Sequence, residues 1–388
     1  MSNAATPARR WRPDVVLLLI LVVAFFARVV LAVTQPLVHD EFNTSIPLAE
    51  RISFAPENRY LPLRAINHPA LPAYFVKAST TLLDSKKPLG YRGLHVVASL
   101  VIVVLIYSMT KRWYGVPAAR WAAALIAFNE YALAVSSHAT AHVPFLLFVT
   151  GAVVAFSRFL AGQRPRFLYL VGASLALAFY AKEHAALLLP LFFLTLLLPR
   201  YRGWLRVPHV YLAAALFFAL VTPDVVWNLT RKAETQVTYG RHLQRIGGLG
   251  LSQYPTAFYL KSGVAAAHTA VTGQPFDDNT PEYQSMNVLL GVLLLGSVVA
   301  TTLRRRDDTP ARAYLLLLFW GVFGFFTLIR KGDPSGLDPV SWIWVDASML
   351  PAIVLTGAVM AGVKGKSRVA LWAFAVFGLV VGALRRYT

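Results

Sequence analysis

Just beyond its first apolar segment, the chain places His39-Asp40-Glu41-Phe42 and then Asn67-His68-Pro69-Ala70-Leu71-Pro72-Ala73-Tyr74. Adjacent carboxylates beside a membrane-length helix are costly to place and by default suggest function. One such carboxylate can act as a general base, accepting the proton of a nucleophilic hydroxyl. Two together can hold a divalent cation with His68 or His142. They can equally sit at a helix N-terminus, where the dipole favours acids. Asp40 and Glu41 are the candidate catalytic pair, and all three uses stay open at this level.

A second polar group, Lys182-Glu183-His184, interrupts an otherwise apolar stretch from Phe167 to Leu198. A lysine in so tight a turn can bind a phosphate oxygen as a point charge, or snorkel and pair with Glu183. His138 and His142 stand four residues apart, so on a helix they share one face and form a candidate metal pair, with interfacial histidines as the plainer reading. Arg28 lies inside the first apolar segment and Arg330-Lys331 at the end of a later one. Each can neutralise an anion arriving from lipid or snorkel to the surface. Trp342 and Trp344 suit an interfacial aromatic belt or a sugar-stacking surface. Asn228-Leu229-Thr230 matches a glycosylation sequon, a frequent chance match.

The elements that position these residues follow from composition. Of 388 residues 57% are hydrophobic and 14% charged, which points to a polytopic membrane protein. The absence of cysteine excludes disulfides and thiolate chemistry. The apolar blocks approach the roughly 20 residues that span hydrocarbon as a helix. About eleven spans are expected: Asp14–Val33, Leu89–Thr110, Ala118–Val135, Val143–Leu160, Phe167–Ala181, Ala185–Leu198, His209–Val226, Ser285–Leu303, Ala313–Ile329, Ala347–Val363 and Val369–Leu384. The first is longer than a signal-peptide core and lacks a good cleavage site, so it is expected to stay as an anchor. With the N-terminus in the cytoplasm, the inner loops and their edges hold 19 Lys/Arg against 3 acids, the outer ones 17 against 15. This asymmetry sets the orientation and accounts for the net charge of +19 without nucleic acid. Seven of nine histidines then fall outside, so chemistry is expected on the outer face.

Residues 1–388 read as one membrane domain without a separate soluble domain. Its two large outer loops are 34–88, with amphipathic pieces (Ile46, Ala49, Ile52; Leu71, Tyr74, Phe75, Ala78) suited to the interface plane, and 227–284. No internal repeat of 20–50 residues is visible.

In order and topology these features resemble the polyprenyl-phosphate-sugar-dependent glycosyltransferases of the GT-C fold, in the branch of protein O-mannosyltransferases and lipid A aminoarabinose transferases. The matching pieces are Asp40-Glu41 after the first span, His68-Pro69-Ala70-Leu71-Pro72-Ala73-Tyr74, the Tyr180-Ala181-Lys182-Glu183 hairpin and the Trp342–Pro351 segment. The chain departs at Ala70, where relatives carry proline, and at Thr140-Ala141-His142. The resemblance implies an all-α fold with interfacial helices in the first outer loop. It also implies an inverting transfer of sugar from a polyprenyl-phosphate donor to a hydroxyl of a glycan, lipid or protein in a bacterial cell envelope, at the inner membrane. Asp40 would be the base, with Glu41 beside it. Lys182, Arg330, Lys331 and Arg28 would meet the donor phosphate, and His68, Tyr74, Glu183, His184 and Trp344 the substrates. A divalent ion at His138 and His142 is the candidate cofactor. A flippase for an anionic lipid-linked sugar and a non-catalytic subunit on the same scaffold are the competing readings.

Overall fold

The computed structural model describes residues 14–38, 40–64, 69–230, 246–249, 258–260, 287–304, 310–331 and 346–387. His39, His68, Trp342, Trp344 and most of the second large loop lie outside these, as do the side chains of Arg330 and Lys331.

Among the described residues the regular structure is helical apart from a two-stranded antiparallel ladder, β1 (Ile246–Leu249) with β2 (Ile329–Lys331), which hydropathy does not foretell. Six described helices are long and apolar enough to cross a membrane, and four shorter apolar ones accompany them. The chain is an integral membrane protein.

Helix α1 (Val15–Thr34) shows how lipid shapes the pattern. Val15, Leu18, Leu19, Val22 and Phe26 stay exposed, whereas Ala24, Arg28, Leu31 and Ala32 are buried. An apolar outer surface costs nothing in hydrocarbon, so small and polar residues mark the inward face instead. Helix α2 (Ile46–Arg51) and α3 (Leu71–Leu83) follow in the first loop. Their stripes face each other: Ile46, Ala49 and Ile52 pack on Ala70, Ala73 and Val76 as a small second core. The Ile46 stripe is therefore used on α3, not on the membrane surface.

Helix α4 (Pro88–Phe128) is broken at Gly115, whose φ of 84° suits glycine, with Pro117 following. Its second arm ends at Asn129, whose side chain accepts from the Ala132 amide and starts the short, wholly buried α5 (Glu130–Ser136). The span expected to run to Val135 is thus two helices, because an Asn cap interrupts it. There follow α6 (His142–Gly162), α7 (Arg166–Phe179), α8 (Leu188–Leu196), α9 (Pro208–Thr230), α10 (Val288–Leu303), α11 (Pro310–Leu328), α12 (Asp346–Gly362) and α13 (Lys366–Tyr387).

Cross-links sort the helix ends into two groups. At one end Asp14 caps α1 and pairs with Arg120 at 3.0 Å, while Tyr169 bonds His209 at 2.7 Å. Exposed Arg158, Arg164, Arg166, Arg200, Arg202 and Arg206 lie in the elements of this end. At the other end lie residues 35–38 and 40–45 and the starts of α6 and α12, together with the turn after α7.

Small residues allow close approach between α12 and the second arm of α4, where Gly357 faces Ala118 and Ala122. A Cβ at Gly357 would stand 2.6 Å from the Ala118 carbonyl oxygen, which is backbone and cannot swing away. Gly357→Val is expected to cost roughly 1–3 kcal/mol through overpacking. Thermal unfolding in detergent should show a lowered midpoint, and an unchanged one would contradict this packing.

Candidate active site

Glu41 begins a π-helical turn, Glu41–Ser45, and is fully buried. Its Oε1 accepts from Arg92 Nε at 2.7 Å and from the Ala139 amide at 2.6 Å. Its Oε2 accepts from Arg92 Nη2 at 2.6 Å and from the Val38 amide at 2.9 Å, with His138 Nδ1 3.3 Å away. Arg92 also donates to the carbonyls of Ala32, Gln35 and Pro36, each at 2.8 Å. Helix ends leave carbonyls without partners, so one guanidinium both pairs Glu41 and closes the C-terminal end of α1. Burial alone would raise the Glu41 carboxyl, but the hydrogen bonds from Arg92 and His138 and the Arg92 charge hold it far below its ordinary value. A carboxylate engaged by this many donors is a poor base. The geometry gives Glu41 a positioning part instead of the catalytic one expected.

Asp40, one residue earlier, is only partly buried and makes no side-chain cap bond to the turn it precedes. It lines a small recess with Thr44, Ser45, Pro69, Pro72 and Ala141. Ala141 adjoins His142, and the charge of Asp40 acts on both His142 and Lys182.

The second cluster joins four helices and turns. Lys182 Nζ lies 2.8 Å from His142 Nδ1 and 3.4 Å from Asp346 Oδ2. Tyr131 bonds the same His142 nitrogen at 2.9 Å and donates to Asp346 Oδ2 at 3.2 Å. Burial pushes the Lys182 ammonium down to about 8, against the opposing pull of Asp346 and Asp40. Beside this cluster runs an apolar cavity of about 190 Å³ lined by Phe145, His184, Leu187, Leu191, Phe325 and Ala347. Lys182 lies over the Phe145 ring at 5.4 Å, and His184 packs on that ring at 4.5 Å. A second apolar cavity of about 340 Å³ lies on the other side of α8, sharing Pro190 with the first.

A third network fixes the turn carrying Lys182. Arg64, also buried, donates to Asp224 of α9 at 2.7 Å and pairs with Glu183. The Leu71 amide bonds the Tyr180 carbonyl at 3.2 Å.

Several expectations change against this geometry. Glu183 holds Arg64, and Tyr74 donates to the Pro62 carbonyl at 3.0 Å, so both tie down backbone. Arg28 is only 1% exposed and donates to the Ala24 carbonyl at 3.2 Å, which closes it to an anion approaching through lipid. The His138–His142 metal pair assumed helical spacing, but α6 starts at His142 and His138 lies before it. The two rings serve different networks. No three His, Asp or Glu side chains converge as metal ligands among the described residues. The carboxylates nearest His138 and His142 are held by Arg92 and Lys182, so the donors present do not fit a divalent ion. Asp346, Arg92, Arg64 and Tyr131 were missed as site residues.

Residues 67–227 match the family model of dolichyl-phosphate-mannose-protein mannosyltransferase. The structure superposes on ArnT from Cupriavidus metallidurans bound to undecaprenyl phosphate with a TM-score of 0.65 and 13% identity, covering 94% of this chain and 62% of that one. This is the GT-C fold. The GT-C scaffold also relates it to the Archaeoglobus fulgidus oligosaccharyltransferase. The complex of that enzyme, AglB, with an inhibitory peptide and a dolichol-phosphate gives TM-score 0.50, 12% identity and 95% and 56% coverage of this chain and that one. Its complex with Zn and sulfate gives 0.53, 13%, 95% and 53%. The chain therefore spans only 53–62% of the length of these solved GT-C chains. No curated protein matches its sequence.

The Lys182 environment sets a pH dependence. Above pH 8 the cluster loses most of this positive charge, so affinity for an anionic probe such as inorganic phosphate should fall as pH rises from 7 to 9. Lys182→Arg keeps its charge throughout and should remove that fall. A wild-type affinity that holds steady to pH 9 would contradict a Lys182 ammonium lowered to about 8.

Proposed function

We propose that this protein is an inverting glycosyltransferase that moves a sugar from a polyprenyl-phosphate donor to a hydroxyl acceptor. The observation that carries the reading is the pairing of two unlike half-sites. A partly exposed carboxylate, Asp40, stands in a recess one residue from a buried Lys182–His142–Asp346 cluster that borders an apolar cavity. A sugar phosphate on a lipid needs that combination: a base, a cation and an apolar bed for the tail. ArnT and AglB on the same fold are seen with undecaprenyl phosphate and dolichol-phosphate, which supports a lipid-phosphate donor here.

In the reaction Asp40 takes the acceptor's proton. The acceptor oxygen bonds to the anomeric carbon as the bond from that carbon to the phosphate oxygen breaks, inverting the centre. The electron pair leaves with the phosphate, whose growing charge meets Lys182. A phosphate leaves as a stable anion, so no general acid is required. No step is routed through a metal. Glu41, held by Arg92, fixes the backbone from which Asp40 projects, and Arg64 fixes the turn of Lys182. By the charge asymmetry the arginine-rich end faces the cytoplasm and the site opens on the outer face of a bacterial inner membrane, with an acceptor in the cell envelope.

Asp40→Asn should lower transfer by about 10²–10⁴-fold with folding and undecaprenyl phosphate binding intact, as for removal of a general base. The assay is mass spectrometry of purified protein with polyprenyl-phosphate sugars and candidate acceptors. Transfer at the wild-type rate would overturn the assignment, and movement of donor across a bilayer without transfer would favour a flippase.

A further inference from the structure

Asp346 has no part in the reaction as written, yet it is the buried acid nearest the phosphate half of the site. It is fully buried, is the last acid in the sequence and opens α12. Its Oδ2 receives Tyr131 at 3.2 Å, with Lys182 and His142 each at 3.4 Å. Among the described residues its buried Oδ1 has no hydrogen-bond partner. A carboxylate this deep, half unsatisfied, is expensive to keep unless its charge is used.

The charges of substrate and product differ. The donor phosphodiester carries one negative charge. The phosphomonoester left after transfer carries up to two, because its second ionisation lies near pH 6. A lone buried ammonium would hold the product more tightly than the donor, and turnover would stall on release. We propose that Asp346 is a positioning residue for product release, a fixed negative charge behind Lys182 that offsets its pull and weighs twice as heavily on the product as on the donor. This rests on Lys182 being the phosphate site, the reading given above.

Coulomb energy scales with ligand charge, so removing Asp346 tightens a dianion by the square of the factor for a monoanion. The probes are undecaprenyl phosphate and its singly charged methyl ester, with affinities measured in detergent at pH 7.5. Asp346 also helps keep Lys182 protonated. The comparison is therefore made in the Lys182→Arg background, where the cation persists. Adding Asp346→Asn should tighten the methyl ester about 3-fold and the monoester about 10-fold. With native Lys182 at pH 6, Asp346→Asn should lower kcat and KM together as release slows. Asp346→Glu, which keeps the charge, should restore kcat towards wild type.

Equal tightening of both probes, or loosening of either, would overturn the proposal. Should Asp346→Asn fail to fold, the wild-type protein alone decides. The proposal expects it to bind the two probes within about 3-fold of each other, and a preference above about 30-fold for the monoester would refute it. Lys182→Gln separates the two claims. If it leaves both affinities unchanged, the phosphate-site reading fails. If it abolishes them while the Asp346 arms go the wrong way, only the release role fails.

Discussion

A buried charge must be paired, and the pair formed by Arg92 and Glu41 is the one on which this site depends. Neither side chain is exposed to solvent, and together they draw in the Val38 and Ala139 amides and three carbonyls at the end of α1. Replacing such a pair by matched apolar residues is often harmless to stability, but removing one partner costs about 3–5 kcal/mol, because the other charge is left unpaired. The pair therefore commits α1, α4 and the 137–139 turn to one arrangement. Asp40 is the residue just before Glu41 and makes no cap bond to the turn, so its place is set through its neighbour's bonds.

The same logic recurs at Arg64. It joins Asp224 and Glu183, which lie far apart in sequence, and so fixes α9 against the turn that presents Lys182. Beside these two ion-paired clamps stand the groups to which the proposed reaction assigns the chemistry: a carboxylate in a recess and an ammonium at the edge of an apolar cavity. The division explains why acids and bases cluster at one end of a bundle whose other exposed charges are mostly arginines.

Much of this architecture was legible in the sequence. Hydropathy gave the membrane-length helices, and the uneven distribution of Lys and Arg separated the two ends. Asp40 and Lys182 stood out because each breaks an apolar context. Arg92 was hidden by averaging over a long apolar span, although an arginine there is itself a signal. Asp346 was masked in the sequence by Trp342 and Trp344 just before it, which carry the stronger interfacial signal. Arg64 and Asp224 could not be paired from sequence, since nothing local relates positions 160 residues apart. The His138–His142 spacing misled because spacing has helical meaning only inside a helix, and α6 begins at the second histidine. The Asn129 cap and the β1–β2 ladder were equally invisible to hydropathy.

In the proposed reaction Asp40 and Lys182 are the two working halves of one site. A cryo-electron microscopy structure with bound undecaprenyl phosphate tests it most directly. The phosphate should lie within hydrogen-bonding distance of Lys182 Nζ, with the tail along the cavity lined by Phe145 and Phe325 and the Asp40 carboxylate facing the phosphate across room for one sugar. A phosphate bound at the arginine-rich end, or one at Lys182 with Asp40 turned away behind the backbone, would contradict it.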